Sequence, residues 1–322
     1  METVNKRLAW LDVAKGLTML AVIVGHTAGG STLTHDIIYS FHMPLFFLLS
    51  GYTMKPAKDV KTWCRNTRKD FIRLILPIIG FELLNGVLSI LLDGSDFMTE
   101  WGIFRHRLFW ASAFWPRETP NIGALWFLAA LFAARLFLNL FSVLFGDNFE
   151  LLGFLAGYAG MILWQREIRL PLGLVPAMVS TLFVAGGAAA RRCRAELSRH
   201  RTPLFVIATL LVFSMLGQNI NIDIAVGRCT PEMLVKVLAS SFSVCVICRI
   251  LSSQRILAGL LGLIGRHTMP ILLVHNVDDW FLGLYYCENS WVRMAAARIF
   301  WVLLFAGILE GVYRLLCRKK ER

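Results

Sequence analysis

Three histidines fall within or beside long apolar stretches: His26 in LDVAKGLTMLAVIVGH, His42 in SFHMPLFFLLSGY and His275 in HTMPILLVHN. Imidazole is the side chain whose ordinary proton affinity suits proton transfer near neutral pH. An ionisable group inside a membrane-length apolar segment costs about 2.5–3.5 kcal/mol on insertion scales, so each such group is a functional hypothesis by default. The chemistry these rings offer is general acid–base catalysis.

His26 shares its stretch with Asp12 and Lys15. Lys15 and His26 are eleven positions apart, close to three whole helical turns, so both lie on one face with a rise of ~16 Å between them. Asp12 falls near the same face. A cation at one end of such a helix can hold a phosphate as a point charge, while an imidazole deeper in the membrane works on the far end of the same donor. The structural alternatives are a Lys15 that snorkels to the interface and a His26 bonded to neighbouring backbone.

His42 stands two residues before Pro44, so a helix is expected to start or kink there and free backbone groups beside the ring. Ser50, Gly51 and Tyr52 follow; a glycine there lets a neighbouring helix approach closely, and ordinary helix contacts account equally for Ser50 and Tyr52. Glu82 and Arg135 fall mid-span and are expected to pair with each other, the sharper alternative being an Arg135 that faces a substrate cavity. Lys236 and Arg298 fall nearer span ends and are expected to snorkel. Asp278 and Asp279 lie a turn beyond His275, a spacing that does not by itself argue a Ser-His-Asp triad. His267, beside Arg266, is expected at the interface. A run of cations, Lys55, Lys58, Lys61, Arg65, Arg68, Lys69 and Arg73, reads mostly as topology and attraction to anionic lipid. Arg68 and Arg73 are the two assigned to a polyanionic donor.

The elements that must position these groups are membrane spans. The 322 residues are 57% hydrophobic and 17% charged, well away from a soluble domain, with 23 Phe and 10 Trp. At about 20 apolar residues per span, ten are predicted: 9–28, 36–54, 71–92, 124–145, 149–164, 170–190, 203–219, 231–250, 267–286 and 292–314, with 251–265 as an interfacial or broken half-helix. With the N-terminus inside, 22 of the 33 Lys and Arg fall in inner segments, 7 in outer ones and 4 within spans. That bias supports an even number of spans with both termini cytoplasmic. The net charge of +12 therefore reads as topology and not as a nucleic-acid footprint. The first apolar stretch, interrupted by Asp12 and Lys15, reads as an uncleaved helix. No repeat or soluble insert divides the chain, so residues 1–322 are expected to form one all-α transmembrane domain.

The seven Cys show no spacing that suggests zinc, and no metal is expected. Cys229 and Cys287 fall in outer loops where a disulfide would persist in an oxidising compartment; two unpaired thiols are the alternative. Trp101, Trp110 and Trp115 lie in the outer segment 93–123, either to stack on an acceptor or to anchor the interface.

LDVAKGLTMLAVIVGH resembles the first-helix signature of the acyltransferase 3 family of membrane acyltransferases, and FHMPLFFLLSGY its second-helix motif. RLILP (73–77), LWFLAALF (125–132) and IGRHTMPILLVHN (264–276) follow in family order. Lys15-Gly16 and Gly25-His26 resemble the fucose 4-O-acetylase-like branch. Lys15 stands where many members carry Arg, and Asp70 where a partner of Arg73 is expected. The resemblance implies a cytoplasmic acetyl-CoA donor, a sugar or other hydroxyl as acceptor, and His26 as the catalytic residue. It carries over to His26, Lys15, His42, Ser50, Arg73, Trp126 and His275. His42 joins His26 in the expected catalytic pair. Asp12, Ser50, Tyr52, Glu82, Trp126, Arg135 and His275 are expected to bind or orient substrate. The implied setting is a plasma membrane, of the bacterial inner-membrane type. The rival class is a transporter of an anionic or acylated small molecule, which mid-membrane polar groups also suit; no inverted repeat is visible.

Overall fold

The computed structural model describes residues 8–28, 32–111, 122–218, 221–225, 227–286 and 290–318. These are helical, with no strand among the described residues and one isolated bridge, Asp223–Arg228. In chain order the helices are α1 (Ala9–Gly25), α2 (Leu33–Tyr39), α3 (His42–Thr53), α4 (Val60–Asp70), α5 (Leu76–Leu88), α6 (Phe97–Trp110), α7 (Trp126–Phe145) and α8 (Phe149–Gln165). They continue as α9 (Leu174–Arg192), α10 (Arg194–Arg199), α11 (Arg201–Ser214), α12 (Pro231–Leu251), α13 (Arg255–Arg266), α14 (Thr268–His275) and α15 (Trp291–Arg318). π-helical turns at Phe71–Ile75 and Ser89–Asp93 join α4 and α5 into one rod, Val60–Asp93, of 34 residues.

In lipid no water is available to satisfy backbone N–H and C=O groups, so an apolar chain must satisfy them within helices. Among the described residues five stretches are long and apolar enough to cross: Val60–Asp93, Gly123–Gln165, Leu174–Arg192, Pro231–Leu251 and Trp291–Leu315. A sixth is the pair α13 and α14, bent by 65° at one break. Large apolar side chains stand exposed along these helices, Leu91, Leu144 and Phe300 among them, a surface suited to lipid. The protein is an all-α membrane protein.

Several expected spans differ in detail. The stretch 36–54 divides into α2 and α3, because α3 begins at His42 ahead of Pro44, which has no N–H to continue an earlier helix. The stretch 267–286 holds only the eight residues of α14 and then a 3-10 segment, Asp278–Leu284. The helix stops where Asp278 turns inward to bind His275 and Arg298.

The chain forms two compact units: residues 1–46, 200–221 and 232–322, and residues 47–199 and 222–231. In the first, α1 and α13 meet backbone to backbone. A Cβ at Gly16 would collide with the Leu261 carbonyl, and one at Gly265 with the Asp12 carbonyl. In the second, α3 crosses α9 the same way, Gly51 against the Val184 carbonyl and Gly187 against that of Leu48. Without a hydrophobic drive between helices in lipid, such close approach supplies the packing.

Candidate active site

In the first unit α1 runs unbroken from Ala9 to Gly25 and His26 caps its C-terminus. The His26 ring lies 5.1 Å, centroid to centroid, from that of His275, edge on. On another side it lies 6.3 Å from the ring of Tyr39, which in turn meets His42 at 4.6 Å and stacks on His35 at 3.8 Å. The end of α1, α2 and the start of α3 therefore gather three imidazoles, His26, His35 and His42, around Tyr39, and the end of α14 adds His275 against His26. His42 and His275 are each 5% exposed, whereas His26 is the more exposed ring of the three.

The two buried rings are fixed by their Nδ1 atoms. His42 Nδ1 donates to the Ile38 carbonyl at 2.9 Å. His275 Nδ1 donates to Asp278 Oδ2 at 2.8 Å. In its neutral form each ring then carries its free lone pair on Nε2. Arg298 grips the same carboxylate with two parallel bonds, Nε to Oδ2 at 2.6 Å and Nη2 to Oδ1 at 2.7 Å, and gives Nη1 to Thr27 Oγ1 at 3.2 Å. The guanidinium lies 5.4 Å from the Tyr285 ring centre. Arg298 was expected to snorkel; it is 7% exposed and turned inward, because Asp278 offers it a planar acceptor that takes both parallel bonds.

Lys236 also departs from the expected snorkelling. Its side chain is fully buried and pairs with Asp36 at 2.8 Å, with Asn221 Oδ1 at 3.0 Å. Asp36 accepts further from Gly217 N and Asn221 Nδ2. The network satisfies a buried charge, which is the condition for tolerating one.

Lys15 is half-buried on α1 and Asp12 is buried one turn before it. The helix brings Lys15 and His26 onto one face, three turns apart.

In the second unit the expected Glu82–Arg135 pair is not formed. Glu82 pairs with Arg107 at 2.7 Å. Arg135 gives Nε to Asp70 Oδ2 at 2.7 Å and Nη1 to Ser50 Oγ at 3.0 Å. Asp70, twelve residues before Glu82 on the same rod, reaches α7 at the level of Arg135, and Arg107 of α6 takes the carboxylate left over. Arg68 and Arg73 lie on that rod and are both exposed. Trp126 is buried at the first turn of α7 with its ring edge on to Phe127. Tyr52 is half-buried, and its carbonyl accepts from Arg191 at 3.5 Å.

Cys229 is a buried free thiol, and burial pushes its proton affinity up to about 12. Cys287, Trp115 and the Asp279 side chain lie outside the described residues. Among the described residues no three of His, Cys, Asp and Glu are grouped to hold a metal ion.

Sequence reasoning missed Arg298 and Asp278 as parts of the imidazole cluster, and Tyr39 as its centre. A signal was present for the first two: Arg298 is a full charge within a span, and Asp278 lies one turn from His275.

The long apolar helices define a class, the all-α membrane proteins. A family model, the acyltransferase domain, matches residues 8–313, and the chain belongs to the acyltransferase 3 family. The protein is a membrane acyltransferase. No curated protein and no solved structure matches the chain.

Proposed function

We propose that the protein is an O-acetyltransferase that moves an acetyl group from cytoplasmic acetyl-CoA to a hydroxyl, on a sugar of a cell-surface glycan or its lipid-linked precursor. It works in a plasma membrane of the bacterial inner-membrane type, with both termini cytoplasmic. The observation that carries this reading is the exposed imidazole of His26, three turns along one helix from Lys15, with the fixed His275 ring 5.1 Å away and the fixed His42 joined to it through Tyr39.

In the reaction His26 takes the proton of the acceptor hydroxyl as its oxygen attacks the thioester carbonyl, which contributes typically 10²–10⁴-fold of rate. The new C–O bond forms, the C–S bond breaks, and His26 returns the proton to the departing thiolate. His42 orients the acceptor: a neutral ring whose Nδ1–H is committed to Ile38 accepts a hydrogen bond from a hydroxyl at Nε2. In the first unit Lys15 holds a donor phosphate as a point charge without a bidentate grip, and Asp12 orients substrate. In the second, Arg68 and Arg73 are the cations assigned to the donor, and Ser50 and Arg135, joined by a hydrogen bond, orient substrate with Tyr52, Glu82 and Trp126.

Purified protein incubated with radiolabelled acetyl-CoA tests the reading. Transfer or slow hydrolysis of the label is expected, and His26→Ala should insert normally and lose nearly all of it. Label left intact by well-folded protein supports a transporter instead. Full activity in His26→Ala overturns His26 as the base.

A further inference from the structure

The bidentate Arg298–Asp278 pair is buried, and one of its two acceptor oxygens is shared with His275 Nδ1. A carboxylate held on both oxygens by one guanidinium cannot rotate, so the third bond it accepts has a fixed direction. That bond fixes the tautomer of His275 and the plane of its ring. The same ring stands edge on against His26 at 5.1 Å. Arg298 also reaches Thr27, the neighbour of His26 in sequence, so the guanidinium ties both ends of the arrangement.

We propose that Asp278, with Arg298 behind it, is a positioning residue for the acyl transfer, acting through His275 on His26. This rests on the reading of His26 as the base. As the hydroxyl proton moves to His26 in the transition state, that ring becomes an imidazolium. In its neutral form the His275 ring, with Nδ1–H committed to Asp278, turns electron density and not an N–H toward the cluster. It stabilises positive charge on His26 that is absent before the reaction begins. The proton passes on to the thiolate sulfur when the C–S bond breaks, and His275 and Asp278 end each cycle as they began it.

A group that interacts only with the charge formed in the transition state lowers kcat when removed and leaves KM for the donor unchanged. Residues that act through one another also lose activity together, so their effects are not additive. His275→Phe and Asp278→Asn should each lower kcat by about 10- to 1,000-fold, reaching the lower part of the about 10²–10⁴-fold range of general acid–base effects. KM for acetyl-CoA should stay within about twofold, and the double variant should be no worse than His275→Phe alone. Arg298→Lys, which keeps the charge but not the parallel bonds, should recover part of the activity lost in Arg298→Gln.

Two independent losses that multiply in the double variant overturn the proposal, as does a normal kcat in proteins of lowered thermal stability, which marks a purely structural ion pair. If Asp278→Asn fails to accumulate because Arg298 is left without its partner, Asp278→Asn with Arg298→Gln removes both charges and reads the same kcat. His26→Ala, assayed beside them, separates the two claims. An inactive His26→Ala with normal His275 and Asp278 variants sinks the positioning role and leaves the base in place, whereas an active His26→Ala removes both.

Discussion

Arg135 and Ser50 lie 85 residues apart in sequence and meet at 3.0 Å, with the guanidinium Nε given to Asp70 at 2.7 Å. One side chain of α7 therefore joins the second-helix motif to the rod that carries the basic run. Asp70→Asn leaves Arg135 partly buried with its charge uncompensated. Removing one partner of a buried pair costs about 3–5 kcal/mol, and 20% exposure of Arg135 puts this case at or below the lower end. Ser50→Ala removes a single hydrogen bond and should cost about 0.5–1.5 kcal/mol. Thermal denaturation in detergent, followed by tryptophan fluorescence, orders the two variants.

The contact of α1 with α13 admits no side chain at Gly16 or Gly265, because in both places the obstacle is a backbone carbonyl that cannot turn aside. Gly16→Val and Gly265→Val should each part the helices, at a cost at or above the upper end of the about 1–3 kcal/mol typical of overpacking. The expected readout is a sharp fall in the fraction of protein that stays monodisperse on size exclusion after brief heating. Gly259→Ala on α13, where a Cβ meets open space, should leave that fraction unchanged.

The pair Lys236–Asp36 allows a sign test. Lys236→Met alone strands a buried carboxylate and should destabilise by about 3–5 kcal/mol. Asp36→Asn with Lys236→Met leaves no buried charge and should recover much of that loss. Melting temperatures of the two variants check this, and a double variant less stable than the single one contradicts it.

Cys229 holds its proton to about pH 12 because burial disfavours the thiolate. Only the thiolate reacts with alkylating agents, so at pH 8 Cys229 should be modified about a thousandfold more slowly in the native protein than in the unfolded chain. Its rate should climb tenfold per pH unit. In the unfolded chain the thiol ionises near its ordinary value of 9.0, so between that value and about 12 the native state binds the extra proton and stability falls as pH rises. Peptide mass spectrometry of protein alkylated at several pH values reads the rates.

The imidazoles and many of the helices could be read from the sequence because both depend on local composition. A histidine in a run of twenty apolar residues is visible without knowing its neighbours, and α7, α9, α12 and α15 announce themselves by length. Partners could not be read in this way. Lys236 finds Asp36 across 200 positions, and Arg135 finds Asp70 where Glu82 was an equally good candidate from composition alone. The stretch 267–286 looked like one span because its apolarity is nearly continuous. It ends early because a polar knot, made with an arginine 20 residues further on, holds Asp278 out of the helix. Charge pairing in a membrane protein is settled by which helices lie side by side, and hydropathy does not carry that information.

The unbroken course of α1 has a consequence for the choice of donor. A helix pinned at Gly16 by the backbone of α13 neither stretches nor bends easily, so the interval from Lys15 to His26 acts as a gauge. A thioester whose arm is too short to span that interval cannot satisfy both ends at once. Under the proposed roles, discrimination among carriers then falls to the length of the tether, whatever acyl group it bears.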